Sequence, residues 1–226
     1  MKKCLLMFAL LATILSFNVA FADSIIASNP GGHVTFNSIP FSSSSGTGRY
    51  QEIYSSSLFS GPVQITSLAF SPSDSVFYAA DVTLRLTTTN VAVGALSPNL
   101  DSNFITPLTT VYANPTFSES LTGGSETFSL VFNFTTPFTY DPNSGNMLFD
   151  LLISNQNVDV SFSRSGSGSI LSRAYDTAGF GNGADGVGLR TLIGFQTSAV
   201  PEPGTILLMG TGLVGLAATL RRKLML

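Results

Sequence analysis

The stretch VTLRLTTT, Val82–Thr89, decides the fold class of this 226-residue chain. Val82, Leu84 and Leu86 are apolar, and a polar residue follows each of them. Side chains of a β-strand alternate between two faces, so the three apolar side chains share one face and the polar ones share the other. Threonine and valine also favour extended backbone. The stretch therefore predicts a half-buried β-strand.

The same alternation recurs between residues 24 and 197, which are rich in serine, threonine, glycine, valine and phenylalanine. NMLFDLLI (146–153) is apolar on nearly both faces, which predicts a central strand. Short strands separated by glycine and proline turns predict an all-β fold, a single jelly-roll-like β-sandwich. The serine- and glycine-rich stretches 41–48 and 179–188 are predicted to be loops. The other alternating stretches are TFSLVFNF (127–134), VDVSFS (158–163) and GLRTLIGF (188–195).

The N-terminal residues have the pattern of a secretory signal peptide. Lys2 and Lys3 precede an apolar run over residues 4–17, and Ala20 and Ala22 form an A-x-A site. A basic start, an apolar segment and small residues at positions −3 and −1 are what signal peptidase recognises. We therefore predict a signal-peptide helix that is cleaved after Ala22. An uncleaved N-terminal anchor helix is the alternative.

The charge of the region between the two ends excludes one class of partner. Residues 23–200 contain five arginines, no lysine and twelve carboxylates, which gives a formal charge of −7. Nucleic acid binding needs basic contacts to phosphates, so nucleic acid is not expected as a partner. The sole cysteine, Cys4, lies in the predicted signal peptide, so no disulfide is expected after cleavage.

The residues between the ends lack an obvious catalytic set. His33 is the only histidine of the chain, and no G-x-S-x-G elbow is present. A mature form without cysteine or lysine cannot use thiolate or Schiff-base chemistry. We therefore predict that the protein is not an enzyme and needs no cofactor. A glycosidase that uses two of the twelve carboxylates remains an alternative.

GNGADG (181–186) matches the spacing G-x-G-x-x-G, but a strand-like run rather than a helix follows it. The match therefore does not predict a dinucleotide site. Oxygen atoms of Asp176, Asn182 and Asp185 are candidate ligands for a calcium ion, since calcium prefers carboxylate and amide oxygens. We favour a plain mobile glycine loop without a ligand, with the calcium site as the alternative.

The C-terminal residues form a compact tripartite pattern. Val200–Gly204 reads VPEPG, the next sixteen residues (205–220) carry no charge, and Arg221, Arg222 and Lys223 follow. A sixteen-residue helix is about 24 Å long, slightly shorter than the ~30 Å hydrocarbon core of a bilayer. We predict a transmembrane helix whose basic end stays in the cytoplasm, which leaves the β domain outside. An ordinary single-span anchor is the alternative.

This tail resembles the PEP-CTERM sorting signal of Gram-negative bacteria, with Pro201, Glu202 and Pro203 as its motif. The resemblance implies that an exosortase, a membrane cysteine transpeptidase, cuts near the motif. It further implies transient residence in the inner membrane, then transfer to the cell surface or the extracellular matrix. RYQEIY (49–54), SLFSGPV (57–63), DVTLRLTTT (81–89) and YDPNSGNMLFDLLI (140–153) are similar to a recurring lumenal β domain of PEP-CTERM proteins.

The chain thus divides into four predicted segments. These are a signal peptide (1–22), a β-sandwich (23–197), a linker with the PEP motif (198–204) and a transmembrane sorting tail with a basic end (205–226).

The expected function is a non-enzymatic component of a biofilm or exopolysaccharide matrix. The alternative is a lectin-like or glycan-active β-sandwich, since jelly rolls host both. The chain contains no tryptophan, so aromatic sugar platforms would have to come from tyrosines: Tyr50, Tyr54, Tyr78, Tyr112, Tyr140 and Tyr175.

Overall fold

The computed structural model describes residues 22–30, 35–197 and 212. The first two ranges contain thirteen β-strands, four short 3₁₀ turns and no α-helix, which confirms the all-β prediction. The strands are β1 (Ala22–Ala27), β2 (Thr35–Asn37), β3 (Gly48–Tyr54), β4 (Val63–Phe70), β5 (Val76–Thr89), β6 (Thr109–Leu121), β7 (Leu130–Tyr140), β8 (Asn146–Ser154), β9 (Phe162–Ser165), β10 (Leu171–Thr177), β11 (Gly181–Asp185), β12 (Gly188–Leu189) and β13 (Thr191–Thr197).

The helices predicted for the two termini fall on residues 1–22 and 205–226, which lie outside the described residues except for Ala22, the first residue of β1, and Gly212. In the part of the chain that the structure describes, no helix has the length and apolar character needed to span a membrane.

The strands form three antiparallel sheets. The first has the order β1-β13-β4-β7 and the second the order β11-β10-β3-β8-β5-β6, while β12, β9 and β2 form a small third sheet. The first strand of the domain therefore pairs with the last one, from Ala22 opposite Gln196 to Ala27 opposite Thr191. Because β13 lies between β1 and β4, the four-stranded sheet is complete only when the chain up to Thr197 is present.

The core lies between the two larger sheets and is rich in phenylalanine. Phe70 of β4 packs 5.9 Å from Phe149 of β8, measured between ring centroids, so the rings join the two sheets. Phe41 and Phe132 complete the cluster, with centroids 4.9 and 6.2 Å from that of Phe70. All four rings are fully buried, and tilted or edge-on aromatic packing adds to the burial of their apolar area.

Strand β8 corresponds to the stretch NMLFDLLI and lies between β3 and β5. Phe149, Leu151 and Ile153 face the core, whereas Leu148 and Asp150 are buried on the opposite face. The prediction of a central strand is thus confirmed.

The sequence-based prediction of a loop over residues 179–188 was wrong. Gly181–Asp185 forms β11, which pairs with β10, and Gly188 begins β12. Backbone hydrogen bonds hold these strands, and glycine can make them as well as any residue, so the composition concealed the pairing. The stretch 41–48 contains a 3₁₀ turn over Ser43–Ser45 and the first residue of β3.

The aromatic cluster gives a test of which face of each sheet is the core. We expect Phe70→Ala to lower the free energy of unfolding by about 3–5 kcal/mol, because it leaves a cavity among buried rings. Phe77→Ala is the matched control, since Phe77 is 61% exposed, and should change it by less than about 1 kcal/mol. Urea denaturation followed by circular dichroism measures both. Equal effects of the two substitutions would contradict the packing described above.

Candidate functional site

The connection between β5 and β6, residues 90–108, folds over one half of the outer face of the six-stranded sheet, and we call it the lid. Its Leu96 and Leu100 are buried against Ile53, Leu148 and Ala174 on that face. This cluster is separate from the main core, so the sheet has apolar packing on both sides. The lid explains why β8 is apolar on nearly both faces.

Asp150 lies under the lid and is fully buried. Its Oδ1 atom accepts hydrogen bonds from Arg49 Nε (2.7 Å) and Gln51 Nε2 (2.8 Å). Its Oδ2 atom accepts from Arg85 Nε at 2.8 Å and from Arg85 Nη2. A buried carboxylate is costly unless it is paired and hydrogen-bonded, and here two guanidinium groups and an amide provide both.

The same polar network holds the lid on the sheet. Asn103 Nδ2 of the lid donates to Gln51 Oε1 at 2.8 Å, and Gln51 Nε2 also donates to the carbonyl oxygen of Leu100 at 3.1 Å. Arg49 Nη1 donates to Asp101 Oδ1 at 2.6 Å, and this contact lowers the pKa of the Asp101 carboxyl. Arg49 therefore links the buried carboxylate, the sheet and the lid.

The other half of this outer face is open, and one row of side chains crosses all six strands there. The row is set by the register of the five strand pairs. Two depressions, with volumes of about 430 and 320 Å³, lie along it. We call this feature the trough. From one sheet edge to the other, its row contains Asn182, Asp176, Arg49, Leu152, Thr83 and Ala113.

A second buried acid, Glu52, lies on the core face of β3. Its Oε2 atom accepts hydrogen bonds from Tyr50 Oη and from the Leu189 backbone N–H, the latter at 2.8 Å. Its Oε1 atom is buried without a hydrogen-bond partner among the described residues. Burial raises the pKa of Glu52 from 4.5 to about 7, against the lowering effect of these hydrogen bonds.

Arg173 lies directly opposite Glu52 on β10, and Asp185 lies opposite Arg173 on β11. Arg173 Nε and Nη2 donate to the Asp185 carboxylate at 3.0 and 2.9 Å. The Arg173–Asp185 ion pair joins β10 to the edge strand β11.

The three calcium candidates are only partly brought together. Asp176 and Asn182 are directly opposite each other on β10 and β11, whereas the carboxylate of Asp185, three pairs along the ladder, is bound by Arg173. Asn182 Nδ2 donates to the carbonyl oxygen of Pro98 at 2.7 Å. Within residues 22–30 and 35–197, no three histidine, cysteine or acidic side chains form a metal-binding group.

The other sequence-predicted site residues are at the ends of the chain or outside the described part. Ala22 is the first residue of β1, so the predicted cleavage site, between Ala22 and Asp23, lies within that strand. Ala20, His33, the motif Pro201, Glu202 and Pro203, and the basic residues Arg221, Arg222 and Lys223 lie outside the described residues.

The tyrosines do not form exposed sugar platforms in the described domain. Tyr50, Tyr54, Tyr78 and Tyr140 are fully buried, and their hydroxyl groups bond to internal partners. Tyr112 and Tyr175 are partly buried.

Comparison with known proteins identifies the end of the chain. Residues 199–223 match the PEP-CTERM protein-sorting motif. This motif marks an exported protein that is anchored in a membrane during sorting and is processed by an exosortase. The match includes the PEP triplet and the basic residues that follow the uncharged stretch.

The other comparisons give no match that informs the fold or the function. No curated protein matches this chain. Two solved structures, of the Gx and Gt strains of infectious bursal disease virus, are 14% and 17% identical to it over 81% and 92% of its length. The chain spans only 38% and 48% of the viral chains, with TM-scores of 0.22 and 0.19, and scores this low do not indicate a shared fold.

Asp150 gives the first prediction for this face of the sheet. We expect Asp150→Ala to lower the free energy of unfolding by about 3 kcal/mol, because two largely buried guanidinium groups lose their partner. Asp101→Ala removes the other, exposed partner of Arg49 and should leave stability nearly unchanged. Urea titrations at neutral pH measure both variants. An Asp150→Ala protein as stable as Asp101→Ala would show that the buried network is not needed.

Glu52 gives a pH-dependent prediction. Its pKa is about 7 in the folded state and near 4.5 when unfolded, so the folded state binds more protons between these values. Stability should therefore fall as pH rises from about 4.5 to about 7, by an amount on the order of 3 kcal/mol. Glu52→Gln, which cannot ionise, should lack this slope and be more stable than the wild type at pH 8. Parallel stability–pH curves for the two proteins, measured by urea denaturation, would refute this assignment.

Proposed function

We propose that the mature β-sandwich is a non-enzymatic component of an extracellular polysaccharide matrix. The sorting motif at residues 199–223 carries the proposal, because it marks a protein for export. In the proposed order of events, signal peptidase cuts after Ala22, the tail holds the β domain outside, and an exosortase then cuts near Pro201–Pro203. The trimmed protein passes to the cell surface or the matrix.

The environment of the acids supports the non-enzymatic part of the proposal. A glycosidase needs two carboxyl groups that face each other across a substrate cleft. The two fully buried acids of the described domain, Glu52 and Asp150, have internal partners: a tyrosine and a backbone amide for the first, two arginines and a glutamine for the second. Both acids therefore contribute to the packing of the domain rather than facing a cleft.

The edges of the two larger sheets also support the proposal, because they are built to resist pairing with another chain outside the cell. β6 and β7 form one edge of each larger sheet, and both contain a proline, Pro115 and Pro137. Proline cannot donate a backbone hydrogen bond, so it blocks edge-to-edge pairing with another chain. Both strands also change register once or more against their neighbours, which distorts the edge further.

A lectin-like or glycan-active domain is the second candidate, and the open trough is the observation that favours it. A catalytic domain would release sugar from a polysaccharide, whereas a matrix component would only retain it. To separate these two cases, the purified protein is incubated with matrix polysaccharide and new reducing ends are measured. We expect no new reducing ends.

The sorting motif gives the test in cells. In a strain that lacks the gene, we express the wild type, a triple variant (Pro201→Ala, Glu202→Ala, Pro203→Ala) or a control with Ser198→Ala and Thr205→Ala. The triple variant should accumulate in the membrane fraction with its C-terminus intact, whereas the wild type and the control should reach the matrix and end near Gly204. Immunoblots and mass spectrometry of each fraction measure this.

The same strains test the matrix role. Loss of the gene and the triple variant should both reduce the polysaccharide retained around the cells, and the control should restore it. Secretion of the triple variant would contradict the sorting role. A normal matrix in the deletion strain would contradict the matrix role.

A further inference from the structure

We infer that the trough on the six-stranded sheet binds a linear, uncharged polysaccharide chain. This inference rests on the proposed matrix function and gives it a site and a ligand class. Three properties of the trough favour such a ligand: its length, its rigid wall and the chemistry of its floor.

The trough has the length of several sugar units. Its row crosses six neighbouring strands, so five inter-strand spacings of about 4.8 Å give a length of about 24 Å. The two depressions along it are shallow and open rather than enclosed. Small-molecule sites usually enclose most of their ligand, whereas an open channel across a sheet suits a polymer that extends beyond both edges.

One wall of the trough is fixed by polar contacts. Pro98, Asn99 and Asp101 of the lid border the wider depression together with Asp176 and Asn182. Asn182 Nδ2 bonds to the Pro98 carbonyl, and Arg49 bonds to Asp101 and to the buried Asp150. A wall that is held in place before the ligand arrives avoids the entropy cost of ordering it on binding.

The floor combines one apolar side chain with small and polar ones. Leu152, at the centre of the row, is 39% exposed. Thr83 and Ala113 continue the floor toward β6, and Asp81 and Ser154 border it. Asp176 is exposed and makes no side-chain hydrogen bond to any described residue. A leucine can lie against the C–H face of a sugar ring while hydroxyl and carboxylate oxygens bond to its hydroxyl groups.

Charge selects a neutral chain over other polymers. The only cation in the row, Arg49, already binds two carboxylates, Asp101 and Asp150. Asp81 and Asp176, which also lie along the trough, have no arginine partner among the described residues, so a polyanion would be repelled. A single exposed leucine is too little apolar surface for a lipid or an amphipathic helix. An uncharged, hydroxyl-rich polymer fits the remaining chemistry.

The test is affinity electrophoresis of the full-length protein in a mild detergent, in native gels that contain one polysaccharide each. The neutral probes are hydroxyethylcellulose, mixed-linkage β-glucan and galactomannan, and the polyanionic probes are alginate and polygalacturonate. We expect at least one neutral probe to retard the wild type and neither polyanion to do so. Retardation by the polyanions alone, or by no probe, overturns the inference.

Two matched substitutions locate the site. Leu152→Arg places a long charged side chain in the trough and should weaken binding at least tenfold. Val131→Arg makes the same change at a position that is 37% exposed on the other large sheet, and it should bind like the wild type. Asp176→Ala should weaken binding about threefold without loss of stability, which guards against misfolding of the arginine variant.

The outcomes separate this inference from the proposed matrix role. If Leu152→Arg and Asp176→Ala both bind a neutral probe as well as the wild type, the trough is not the site, and this result leaves the matrix role untouched. If the deletion strain keeps a normal matrix while the wild type binds through the trough, the matrix role fails and the site remains.

Discussion

A buried carboxylate in the middle of the central strand is the constraint on which the outer face of this domain depends. Asp150 is fully buried in β8, and its desolvation is offset by Arg49, Arg85 and Gln51. Isolated carboxylates are strongly disfavoured in an apolar interior, so these partners must remain in place whenever the sheet is folded. The lid over residues 90–108 shields the network and is bound by the same groups.

This constraint divides one face of a sheet into a covered half and an open half. Arg49 lies at the border, with its guanidinium directed to the buried Asp150 and to Asp101 of the lid. The next row of side chains, from Asn182 to Ala113, is left open as the trough. A fixed polar border beside an open row gives this β domain a defined surface.

Export and the β domain are separable properties of the chain. The sorting motif occupies the last residues, and the sandwich ends at Thr197. Because β13 is an inner strand of the four-stranded sheet, the fold is completed by the segment that immediately precedes the motif. Cleavage near the motif therefore leaves all thirteen strands in the mature protein, whereas cleavage before Thr191 would remove an inner strand.

Sequence patterns predicted the parts of the fold that depend on side-chain alternation. VTLRLTTT lies within β5, and NMLFDLLI within the inner strand β8. The glycine stretch 179–188 was misassigned, because β11 is held by backbone pairing and by the Arg173–Asp185 contact, neither of which appears in a local pattern. The trough also depends on register across six strands, which short-range patterns do not determine.

The buried acid Asp150 had a weaker sequence signal than the strands. Asp150 is the only charge in NMLFDLLI, and a lone charge in a strand predicted to be buried on both faces requires a partner. Its partners, Arg49 and Arg85, come from strands more than sixty residues away in the chain. The acid could therefore have been singled out from the sequence, but not its partners.

Amide hydrogen exchange in the lid tests the central claim most directly. The Gly94 N–H donates to Ser172 Oγ at 2.8 Å, and the Ser97 N–H donates to Asn103 Oδ1 at 2.7 Å. If the lid is fixed by the Asp150 network, both amides should be strongly protected in the native protein and should lose that protection in Asp150→Ala, while β4 and β13 stay protected. Rapid exchange of both amides in the wild type would show that the lid is not fixed and would contradict the account.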